Sequence, residues 1–208
     1  MSQDTMFEIN QKLHIKEEKF EDSTFLLIDN IFKHPHLIVD WLKHNEPKNL
    51  WKDDEEPSYN GKYFVDKRHN IRHHSLDKFF WLIESLTNRA IKQREIYSNY
   101  TILKDKNFND YKNNYWFPHV DSGYNAIVYL NEFDCDGTNI YYNDACDTYS
   151  GPEHFESWRP KNLYRLKYTS KATFNRLFIF DGELPHGMAI NTDAFFVTHR
   201  LNLVTFSV

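Results

Sequence analysis

Residues 118–131 read PHVDSGYNAIVYLN, and the fold is decided by how this stretch is read. Its second half, YNAIVYLN, is a short apolar strand candidate. Just ahead of it, His119 and Asp121 stand two positions apart, which on an extended backbone points both side chains to one face. From Tyr97 onward similar runs recur between polar turns: YSNYTIL, TNIYY, LYRLKY, NRLFIF, HGMAIN and AFFVTHRLNLVTF. That is the pattern of a sandwich or jelly roll and not of alternating βαβ units. The polar segment 143–160, NDACDTYSGPEHFESWRP, interrupts the series as a lid or binding loop does.

Upstream, FLLID at 25–29 reads as a buried strand, and Leu37, Ile38, Trp41 and Leu42 repeat at helical spacing. Residues 51–63, WKDDEEPSYNGKY, read as an acidic surface loop with an Asn60-Gly61 turn. A second helix is expected after Ser75 as cap, with Leu76, Phe79, Phe80, Ile83, Leu86 and Ala90 as its apolar stripe. His73 and His74 ahead of it are cap or surface residues. No repeat or linker divides the chain. The expectation is one α+β domain over 1–208, with helical and strand support in 1–96 and a jelly-roll core in 97–208.

The chain has 208 residues, 40% hydrophobic and 26% charged, enough for one good core. Aromatics at 17% with only 6 Gly and 7 Pro exclude disordered and collagen-like classes. A net charge of -5 gives no global basic field, so nucleic acid is not expected as a partner. No run approaches the roughly 18 apolar residues of a membrane span, and the first twenty residues show no apolar leader. A cytoplasmic protein is therefore expected, and the many Asn, Lys, Phe and Tyr are compatible with an AT-rich bacterial or viral genome. The two cysteines, Cys135 and Cys146, permit no disulfide framework and read as reduced thiols.

His119 and Asp121 offer two metal donors on one element. His186, in FDGELPHGMAIN, offers a third, sixty-five positions after Asp121 and several strands away. Two imidazoles and one carboxylate on one side of an ion form the facial triad that suits non-haem Fe(II), with the other side open to substrate and oxygen. The rival pair His154 and Glu156 lies in the polar insertion, only thirty positions before His186, which leaves too few strands to complete a barrel. The last apolar run contains Arg200, fourteen positions after His186. A buried guanidinium needs an anion. A bound dicarboxylate would supply one with bidentate geometry, and an internal bridge to Glu132 or Asp181 is the other reading. Tyr129 reads equally as a core tyrosine with a satisfied hydroxyl.

At these residues the chain resembles the 2-oxoglutarate/Fe(II)-dependent oxygenases, in their prolyl-hydroxylase-like branch. The shared pattern is HxD, a YLN strand, a G-T pair, a distal His and a downstream Arg, spanning roughly 97–206. The resemblance implies a double-stranded β-helix, the cupin-like jelly roll, with Fe(II) on His119, Asp121 and His186. It further implies 2-oxoglutarate with its far carboxylate on Arg200, assisted by Tyr129 and Asn202, and O₂ as the third reactant. The implied reaction is hydroxylation of a peptidyl or small amino-acid-like substrate, with succinate and CO₂ as co-products. Asp121 favours hydroxylation over halogenation, which needs that ligand position vacated. Arg200-Leu201-Asn202 departs from the frequent Arg-x-Ser/Thr, Asp136-Gly137-Thr138 departs from Gly-Gly-Thr, and the family's tyrosine ahead of the iron histidine has only Tyr111 as counterpart. The other readings are a nucleic-acid demethylase of the same superfamily and a cupin-like module that binds metal or serves structure without turnover.

Overall fold

The computed structural model describes residues 5–44, 52–53, 64–103, 112–116, 118–142 and 158–207. Its strands are β1 (Ile15–Phe20), β2 (Ser23–Ile28), β3 (Lys52–Asp53), β4 (Phe64–Ile71), β5 (Ile96–Leu103), β6 (Asn114–Trp116) and β7 (Tyr124–Tyr129). They continue as β8 (Asp136–Tyr141), β9 (Trp158–Pro160), β10 (Leu166–Lys171), β11 (Arg176–Asp181), β12 (His186–Met188) and β13 (Arg200–Ser207). Two helices, α1 (Pro35–His44) and α2 (Asp77–Thr87), complete a mostly β chain. Eight strands form one antiparallel sheet in the order β1-β2-β11-β7-β13-β5-β4-β3; β10-β8-β12 form a second sheet and β6-β9 a third. This is consistent with a jelly roll, although helix is a smaller part than an α+β class implies.

The central strands of the large sheet are apolar on both faces, which explains their unbroken runs of apolar residues. Ala126, Val128, Leu177, Ile179 and Leu203 face one core, which also holds Ile38 and Leu42 of α1 and Phe79, Phe80 and Ile83 of α2. Their alternates Ile127, Tyr129, Phe178, Phe180 and Val204 face a second core together with Phe25 and Ile140 of β8. The candidate site lies on this second face, between the large sheet and the β8–β12 layer. Strands from residues 1–96 form both edges of the large sheet, so that segment and 97–208 share one hydrogen-bonded unit.

Several local expectations are corrected. Helix α2 begins at Asp77, and Ser75 does not cap it: the His73 ring caps a 3-10 turn at His74–Leu76 by accepting from Ser75 N at 3.2 Å. Asn88 ends the helix in the left-handed region at φ 52°, leaving Ala90 outside it and exposed. The last run is not one strand, because the Thr192 hydroxyl accepts from Ala194 N at 3.1 Å and winds Asp193–Phe196 into a 3-10 helix before β13 starts at Arg200. Leu163 of LYRLKY likewise belongs to a 3-10 turn. Lys52–Asp53, expected in a loop, pairs with β4, and Trp158–Pro160 at the end of the polar insertion pairs with β6. The rest of that insertion, with His154, Glu156 and Cys146, lies outside the described residues, as does Tyr111. Among the described residues no helix is long and apolar enough to cross a membrane.

Phe79 is buried on the helix side of the sheet with its ring 5.3 Å from that of Phe32. Phe79→Ala should lower unfolding free energy by about 3–5 kcal/mol in urea titration. A loss under about 1 kcal/mol would show that the helices are not part of this core.

Candidate metal centre

The site is assembled by backbone pairing. His119 and His186 form an isolated antiparallel bridge, each N–H donating to the other's carbonyl, at 2.9 Å from His119 and 2.8 Å from His186. Their rings therefore lie side by side, with centroids 4.4 Å apart. Two residues on, Asp121 N donates to Gly182 O at 2.8 Å, and Gly182 N donates to Gly123 O at 2.6 Å. The HxD loop thus crosses directly over Gly182. A Cβ there would lie 2.9 Å from the carbonyl oxygens of both Asp121 and Gly123, so glycine is required for the close approach.

Among the described residues, His119, Asp121 and His186 offer donor atoms that all lie within 4.8 Å of one another. Asp121 Oδ2 is 3.2 Å from His186 Nε2 and 3.9 Å from His119 Nε2. Ligand bonds of about 2.1 Å at right angles place donors about 3 Å apart, so this spacing fits one ion after a small contraction. The tautomer fits as well. His186 Nδ1–H donates to Leu184 O at 2.8 Å, which leaves the Nε2 lone pair facing the cluster, and Phe180 packs against the ring at 4.9 Å in T-shaped geometry. Burial pushes the Asp121 carboxyl up, but His186 and His119, which attract the carboxylate when their rings carry a second proton, and the Asn125 amide outweigh it and bring it down to about 2. The carboxylate is held ionised, as a metal ligand must be.

Arg200 opens β13 on the same face. It is 6% exposed, donates from Nη2 to Gly137 O at 2.6 Å, and lines the same cavity of about 750 Å³ as His119, Asp121 and His186. Asn202, the next residue on that face, also lines the cavity at 4% exposure, and its Oδ1 has no hydrogen-bond partner. Tyr129 is placed differently. Its hydroxyl bonds Thr138 Oγ1 at 2.8 Å and Ser170 Oγ at 2.7 Å, and its ring sits over Gly137, where a Cβ would come within 2.5 Å of it. It lies behind the cavity wall, and Thr138 reaches the surface in its place. The two acids considered as internal partners are engaged elsewhere: Glu132 pairs with His36 at 2.8 Å, and Asp181 Oδ1 accepts from Glu183 N at 3.0 Å.

Two residues that sequence reasoning missed belong to the cavity. Asn125 donates from Nδ2 to Asp121 Oδ2 at 2.7 Å and to His186 Nε2 at 2.9 Å. The available signal was a polar residue at the start of an otherwise apolar strand, four positions after Asp121. Glu95 is buried and accepts from Asn70 at 2.6 Å, from Arg72 Nε at 2.7 Å, and from Gln93 and Tyr97. These donors hold its carboxyl below the usual range against the opposing effect of burial.

No family model matches this sequence, and no curated protein matches it. Its fold matches the crystal structure of a 2OG-Fe(II) oxygenase family oxidoreductase from Burkholderia pseudomallei, with a TM-score of 0.50 over 88% of this chain and 83% of that one. The likeness is one of fold. At 11% identity that likeness carries no chemistry, which has to come from the side chains of this chain.

Gly182→Ala should push the HxD loop off its partner, lowering divalent-ion affinity at least about tenfold and stability by about 1–3 kcal/mol. Calorimetric titration with Mn(II) and thermal unfolding would check this, and unchanged ion affinity would show that the loop crossing does not set the donor geometry.

Proposed function

We propose that this protein is an Fe(II)- and 2-oxoglutarate-dependent dioxygenase that hydroxylates a small amino-acid-like or peptidyl substrate. The observation that carries the reading is a His, Asp, His donor cluster and a buried arginine on the walls of one cavity. A barrel that only binds metal or serves structure has no need of a buried cation on the lining of the same cavity, and the oxygenase fold of the structural neighbour supports the same reading.

His119, Asp121 and His186 would hold the ion from one side. With 2-oxoglutarate and O₂, Fe(II) supplies oxidative decarboxylation of the keto acid coupled to hydroxylation of the substrate. Arg200 would take the far carboxylate of the keto acid, where its planar fork gives both charge and direction. The Asn202 amide, two residues along the strand, is the candidate second contact. Tyr129 contributes one step removed, by aligning the Thr138 hydroxyl and the Gly137 carbonyl that receives Arg200. Ile127, Val204 and Phe206 line the same cavity and exclude water from the polar end. The outer part, lined by Lys92, Gln93 and Trp116, is where the substrate would rest.

Four outcomes are expected. Purified protein with Fe(II) should convert 2-oxoglutarate to succinate, and absence of any such turnover would count against the reading. Asp121→Ala should abolish ion binding, whereas Arg200→Ala should retain the ion and weaken 2-oxoglutarate by about 30-fold or more, measured by calorimetry. Ion affinity should fall as pH is lowered from about 7 to about 5, because protons compete with the ion for its nitrogen ligands. Asp121, already down at about 2, stays ionised across that window.

A further inference from the structure

We infer that Asn125 is a placeholder for the metal ion: its amide nitrogen satisfies two of the ion's ligand atoms in the ion-free protein and must release one of them for the ion to bind. This rests on the metal site proposed above. The Nδ2 atom donates one hydrogen to Asp121 Oδ2 at 2.7 Å and the other to His186 Nε2 at 2.9 Å. Both acceptors are donor atoms of the candidate metal cluster. The amide orientation follows from them, since the reverse would aim Oδ1 at a carboxylate oxygen and an imidazole lone pair.

The bonding is lopsided in a way a purely structural asparagine is not. Asn125 is 2% exposed, both its N–H groups are used, and its Oδ1 has no hydrogen-bond partner. That oxygen lies against Gly182, where a Cβ would stand 3.0 Å from it. A buried amide that leaves its carbonyl unsatisfied to keep both N–H groups on two acceptors carries a cost that those acceptors must justify.

Lone-pair counting gives the direction of the effect. His186 Nδ1 already carries the proton donated to Leu184 O, so Nε2 has one in-plane lone pair. It cannot both ligate an ion and accept from Asn125. Asp121 has lone pairs to spare, so the second bond can persist. Removing the Asn125 side chain therefore takes two hydrogen bonds from the ion-free state and one from the loaded state. Asn125 thus holds ion affinity below its ceiling in exchange for a formed site before loading.

The test is a calorimetric Mn(II) titration of the full chain and of Asn125→Ala, joined to side-chain amide NMR of the unsubstituted protein with and without Zn(II). The expected result is Mn(II) binding about 3- to 10-fold tighter in the variant, the worth of one neutral hydrogen bond, and an Asn125 NH₂ pair that shifts on Zn(II) addition as one hydrogen loses its acceptor. Equal or weaker Mn(II) binding by the variant would overturn the placeholder and leave an ordinary orienting contact. Asn125 resonances unmoved by Zn(II) would also overturn it, whether or not the variant folds. If the unsubstituted protein binds neither ion, the metal site and this inference fall together.

Discussion

The antiparallel bridge between His119 and His186 is the contact on which the candidate site depends. It joins the loop ahead of β7 to the start of β12, and it does so through both backbone hydrogen bonds of a residue pair. A side-chain contact could bring two imidazoles together, but only main-chain pairing also sets where the next residues go. Asp121 then falls over Gly182, and Leu184 O is left within reach of His186 Nδ1. The positions of the three donors and the tautomer of His186 follow from that one crossing.

The large sheet supplies the second constraint. Because its two faces carry separate apolar cores, a polar residue on β7 or β13 has to be accounted for by something other than water. On the helix side the buried polar residues are small hydroxyls, Ser98, Thr205 and Ser207. On the other side Asn125, Arg200 and Asn202 stand among Ile127, Val204 and Phe206, and together they line one hollow. The apolar neighbours lower the local dielectric and strengthen every charge interaction placed there. Glu95, also on the lining of that hollow, is neutralised by Arg72 and three neutral donors within the wall.

Much of this was legible in the chain. The strand series after Tyr97, the HxD pair, the distal histidine and the arginine in an apolar run are local patterns, and local patterns survive reading one residue at a time. Three kinds of feature were not. Strands β1 and β4, IKEEKF and FVDKRHNI, carry charge where a strand signal wants apolar alternation; β1 lies at the edge of the sheet, where charge is tolerated and guards against pairing with other chains. Helix and strand ends moved by a few residues wherever a side chain capped a 3-10 turn, as His73 and Thr192 do. Last, Tyr129 and Asn125 differ by how each side chain is rotated and what it meets, which pairing between distant strands decides. Tyr129 finds Ser170 across the barrel and turns away from the cavity, while Asn125 finds Asp121 and His186.

The central claim is that one cavity holds both an ion site and an arginine for a dicarboxylate, so that the two ligands meet. Thermodynamic reciprocity makes this directly measurable: 2-oxoglutarate should bind more tightly with Mn(II) present, and Mn(II) should tighten by the same factor with 2-oxoglutarate present. Calorimetric titrations around that cycle should give a coupling of about tenfold or more. Equal 2-oxoglutarate affinity with and without the ion would contradict the account, because the donor cluster and Arg200 would then serve separate purposes.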